Sequence, residues 1–171
     1  MRMSLRSQSG FTLIELLLYV SIVGSLLMAI GFFLALSTDS RIKNQSANEV
    51  NQQGTAAMEL ITQTIRNADS ITSPAAAATA ASLNVSVPTA SLSPTVFSLS
   101  GTALQIKEGT AAAVPITNSD VQISSLTFKN LSRASTPGTV QVSFIVSRTN
   151  PGNRNEYDYQ RTFTTTASIR Q

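Results

Sequence analysis

Hydrophobic and polar positions divide the chain into three regimes. From Phe11 to Leu36 apolar residues are almost unbroken, Glu15 is the one charge, and no proline interrupts them. As a helix this stretch is roughly 39 Å long, against a bilayer core of about 30 Å, so it is long enough to span with some tilt. An ionised carboxylate near the apolar end of such a helix costs about 2.5 kcal/mol or more when isolated. That cost points to a partner for Glu15.

Beyond Leu36 the pattern becomes amphipathic. Ile42, Ala47, Val50, Ala57, Ile61, Ile65 and Ala68 fall at helical spacing, with Gly54 on the same stripe. Arg41, Lys43, Glu49, Glu59 and Arg66 occupy the other faces. The pattern predicts one helix from about Phe11 to about Asn67, bare or lipid-embedded in its first half and laid on a sheet in its second. Gly24 and Gly31 in the apolar half cost helix propensity and imply close helix approach or, alternatively, local unwinding during assembly. Residues 69–81, DSITSPAAAATAA, are low in complexity, and Pro74 is expected to close the helix. They are expected to form an Ala-rich, solvated linker.

The third regime alternates with period two. Leu83, Val85 and Val87 alternate up to Pro88. Val96–Leu99 and Ala103–Lys107 flank Ser100-Gly101-Thr102 as a hairpin. Val121–Asn130 is a longer strand with Leu126 and Phe128 on one face. Val140, Val142, Phe144 and Val146 give the cleanest alternation. Asn150-Pro151-Gly152-Asn153 is a turn, and Tyr157–Ile169 the last strand. Connections are short and no second helical pattern appears. The expectation is an α+β fold: an antiparallel sheet, residues 82–171, packed on the amphipathic helix half, residues 37–68.

Composition removes several chemistries. The chain has no Cys and no His, so thiol nucleophiles, disulfides, imidazole bases and the commonest zinc ligands are excluded. Arg2 and Arg6 carry much of the net charge of +3; the remainder is nearly balanced. That balance, the lack of Trp and the few aromatics argue against direct nucleic-acid binding. Asp120, Glu156 and Asp158 are scattered and lack the glycine-spaced loop of a calcium site. No base stands at motif spacing to activate a serine or threonine, and no phosphate loop is present. Neither a cofactor nor an enzymatic activity is expected. Asn84-Val85-Ser86 and Asn130-Leu131-Ser132 match the glycosylation acceptor pattern but fall in or beside strands, and such triplets arise by chance.

The first ten residues, MRMSLRSQSG, are short, polar and basic. Basic residues before a first membrane segment stay cytoplasmic. A secretory signal peptide would carry its small-residue site after a shorter apolar core; here Gly10 precedes the core, and Leu36 is followed by STDSRIK. A plain signal anchor fits the hydropathy but leaves Glu15 unexplained. Gly10-Phe11-Thr12-Leu13-Ile14-Glu15-Leu16-Leu17 resembles the cleavage and methylation motif of type IV prepilins and type II secretion pseudopilins. Val121–Phe128 and Phe163–Arg170 are similar to strands of J-type and W-type minor pilins, with moderate specificity.

The resemblance implies a leader at residues 1–10, cleavage after Gly10 by a membrane-embedded prepilin peptidase, and N-methylation of Phe11. It implies that residues 11–36 form the membrane-spanning and later filament-core helix, and that Glu15 aligns incoming subunits. Implied partners are other pilin or pseudopilin subunits, the peptidase/methyltransferase, an inner-membrane assembly platform and membrane lipid. The implied location is a single-pass inner membrane protein with its globular part outside the cytoplasm, then a periplasmic or cell-surface filament. Lack of a helix-kinking proline favours a minor subunit, and Glu15 argues against a tip subunit. A competing expectation is a single-span anchor displaying a β domain for adhesion or substrate binding.

Overall fold

A computed structural model describes residues 10–133 and 136–170. The chain divides into two compact units, one through Arg41 and one from Ile42. Helix α1, Leu13–Arg66, begins in the first and ends in the second. Its start and finish agree with the hydrophobic pattern to within two residues. Pro74 is not what ends it. Asn67 still bonds to the Gln63 carbonyl, but the Asp69 N–H turns to the Ser86 carbonyl at 2.7 Å, so sheet pairing takes over from the helical ladder.

In the second unit the strands are β1 Ser70–Ser73, β2 Thr79–Ala80, β3 Leu83–Ser86, β4 Thr95–Ser100, β5 Ala103–Glu108, β6 Val114–Pro115, β7 Val121–Asn130, β8 Thr139–Arg148 and β9 Gln160–Ser168. They form two sheets, β1-β3-β4-β5-β6 and β2-β7-β8-β9, antiparallel throughout. The fold is α+β, a long helix packed with antiparallel sheets. Val50, Ala57, Ile61, Ile65 and Ala68 share one core with Leu83, Val85, Phe97 and Leu104 of the first sheet and Ile123, Phe128, Val142 and Phe144 of the second. The amphipathic stripe is therefore the buried face. Gly54 belongs to it because a Cβ there would run into the Phe163 ring.

Three local features refine or correct the sequence pattern. The β4–β5 hairpin turns at Gly101, whose φ of +61° needs a glycine. In β7 the buried positions are Val121 and Ile123, then Leu126, Phe128 and Asn130, a change from odd to even numbers. A bulge between Ser124 and Thr127, with Ser125 at φ +53°, absorbs the extra residue and returns the apolar side chains to one face. The last strand starts at Gln160 rather than Tyr157. Asn150 closes residues 150–154 into a loop, donating from Nδ2 to the Arg154 carbonyl and accepting the Arg154 N–H, both at 2.9 Å. The Ser46 hydroxyl donates to the Glu156 carbonyl at 3.3 Å.

Residues 69–81, most of them exposed, are more than a connection. They supply β1 to one sheet and β2 to the other. Asn130, only 3% exposed, holds the intervening turn: its Nδ2 donates to the Pro74 carbonyl at 2.7 Å, and its main chain exchanges hydrogen bonds with Ala77 and Ala78. Burial also takes Asn130 out of reach of a glycan in the folded chain. Asn130→Ala removes the donor and leaves a carbonyl unpartnered in the interior. We expect a loss of about 1–3 kcal/mol, seen as a lower urea midpoint with unchanged slope.

Candidate functional site

The site expected from the sequence lies where α1 begins. Thr12 caps the helix: its Oγ1 accepts the Glu15 N–H at 3.3 Å, and its carbonyl accepts the Glu15 and Leu16 N–H groups at 3.1 Å. Thr12-Leu13-Ile14-Glu15 has the Ser/Thr-x-x-Glu pattern of a capping box, which puts Glu15 in the first turn, where the helix dipole favours a negative charge. Every residue from Phe11 to Leu36 is exposed, Phe11 at 73%. This half of the helix is long and apolar enough to cross a membrane by length and composition. A Cβ added at Gly10, Gly24 or Gly31 would meet open space.

Glu15 and Tyr19 are four residues apart and so share one helix face, and Phe11, just before the helix, reaches the same tyrosine. The Tyr19 hydroxyl donates to Glu15 Oε1 at 3.4 Å. The Phe11 and Tyr19 rings meet edge to face, with centroids 5.9 Å apart and planes at 66°. Nothing in the sequence pattern singled out Tyr19, because a tyrosine inside an apolar run passes for one more apolar residue. Its spacing of four from the lone acid was the available signal. The leader expected at residues 1–10 falls, apart from Gly10, outside the described residues, as do Arg2 and Arg6.

Two of the three scattered acids each face an arginine. Asp120 faces Arg148 Nη1 at 3.7 Å, and Glu156 faces Arg154 Nε at 3.4 Å. Backbone hydrogen bonding, then the Arg154 guanidinium, hold the Glu156 carboxyl below the usual carboxylate range, partly opposed by desolvation. Among the described residues no three His, Cys, Asp or Glu side chains gather as a metal site would need.

Comparison with known proteins bears on the amino-terminal site alone. No curated protein and no solved structure matches the chain. The family model for the prokaryotic N-terminal methylation motif matches residues 5–31, a span that holds Gly10, Phe11, Glu15 and Tyr19, and the match supports a type IV pilin-like subunit that is secreted or assembled.

Proposed function

We propose that this chain is a minor pilin or pseudopilin, cleaved after Gly10, N-methylated at Phe11 and built into a type IV pilus or type II secretion filament through its amino-terminal helix. The observation that carries this reading is a wholly exposed apolar helix half with one carboxylate, Glu15, in its first turn, inside the matched methylation motif. Removal of residues 1–10 creates a cationic amine on Phe11. In the apolar layer that amine and a Glu15 carboxylate of the next subunit are each costly alone and attract strongly together. Pairing them sets the axial register while the exposed Leu, Ile, Val and Phe side chains bundle. The peptidase, the methyltransferase and the assembly platform are separate partners, and the part from Ile42 onward faces outward.

Mass spectrometry of the exported protein tests the proposal. The expected product begins with methylated Phe11; an intact Met1, or a cut beyond Leu36, overturns it. Gly10→Phe puts a large side chain at the scissile position. It should abolish cleavage, leaving a precursor heavier by the ten-residue leader, and an unchanged mature mass contradicts the assignment of Gly10.

A further inference from the structure

We infer that Tyr19 is a positioning residue for Glu15, fixing the carboxylate on the Phe11 face so that it is ready for a cationic partner. The inference rests on the assembly role proposed for Glu15 and adds to it the residue that aims the acid.

The geometry departs from what the local sequence favours. In a capping box the glutamate side chain reaches back to the N–H of the cap residue. Here Thr12 performs its half, accepting the Glu15 N–H, while Glu15 Oε1 is engaged one turn further along by the Tyr19 hydroxyl. The carboxylate is thereby held by a partner on its own helix face, four residues on, and not by the cap residue. At 3.4 Å the bond is long for an O–H···O contact. In the apolar layer no water competes for the acceptor, and an ionised acceptor strengthens it. The Phe11–Tyr19 ring contact adds a second hold on the tyrosine.

A carboxylate has about four acceptor sites on two oxygens. One hydroxyl occupies one of them and leaves Oε2 entirely open to an incoming ammonium. Tyrosine suits this role better than a basic residue would. A lysine or arginine at position 19 would neutralise Glu15 within its own helix and remove the reason to pair with another subunit. A hydroxyl offsets part of the desolvation cost, keeps the negative charge, and so preserves the attraction.

Tyr19→Phe tests this, because it keeps the ring and its contact with Phe11 and deletes only the donor. In the full chain, incorporation is read as the fraction of membrane-held subunit found in sheared filaments, alone and in a Glu15→Gln background. Loss of a hydrogen bond to a charged group should lower incorporation roughly tenfold with Glu15 present, and should have no further effect once Glu15→Gln has removed the charge. A second readout needs no filament. The infrared carboxylate band of the full chain in phosphatidylcholine vesicles that vanishes in Glu15→Gln should shift in Tyr19→Phe. An unmoved band, or an equal loss of incorporation in both backgrounds, overturns the inference and leaves Tyr19 as an interfacial anchor. If the mature chain proves not to begin at Phe11, the assembly reading fails, while the infrared band still decides the Tyr19–Glu15 contact.

Discussion

Replacing Glu15 by alanine should leave the subunit cleaved and in the membrane while lowering its presence in filaments by roughly two to four orders of magnitude. Removing one partner of a buried ion pair strands the other, at about 3–5 kcal/mol, and each 1.36 kcal/mol is a factor of ten. Insertion should not suffer, because deleting a charge from an apolar helix lowers the cost of placing it in lipid. Immunoblots of sheared filaments and of membranes separate the two effects. Near-normal incorporation would mean that the helices bundle on apolar contact alone, and the pairing of Glu15 with the Phe11 amine would have to be abandoned.

A second large effect is expected in the part from Ile42 onward. Phe144 is fully buried at the centre of β8, opposite Phe163 on β9, with the two rings stacked at 5.7 Å. Phe163 in turn fills the space left by Gly54. Phe144→Ala opens a cavity under this stack and should cost about 3–5 kcal/mol, a large share of the roughly 5–15 kcal/mol that holds a typical domain. Urea unfolding of the full chain in detergent, followed by circular dichroism, should show the midpoint falling steeply. Thr164→Ala, on the opposite face of β9, loses only an exposed hydroxyl contact with Ser143 and should cost about 0.5–1.5 kcal/mol. Equal effects from the two would mean that the stack is not part of the core.

The helix was legible because its two halves carry two unmistakable patterns, and Gly54 showed itself by standing on the stripe of Val50, Ala57 and Ile61. The long strands were legible for the same reason. β1, β2 and β6 were not, since strands of two to four residues with at most one large apolar side chain carry no period of their own and pair along the ladders that β3, β7 and β5 offer. The division into two sheets depends on which edges meet, which alternation does not encode. At the amino terminus Glu15 stood out by its cost in an apolar run. The capping geometry of Thr12 and the reach of Tyr19 required knowing which way the carboxylate turns.

Strand β9 and the residues just after it tie the second unit together at three places. β9 covers the edge of β8 through nine registered pairs, supplies Phe163 to the niche at Gly54, and is followed by the Arg170 N–H bonded to the Arg66 carbonyl at the end of α1. Without residues 160–170 the edge of β8, the niche at Gly54 and the Arg66 carbonyl would all lack these partners.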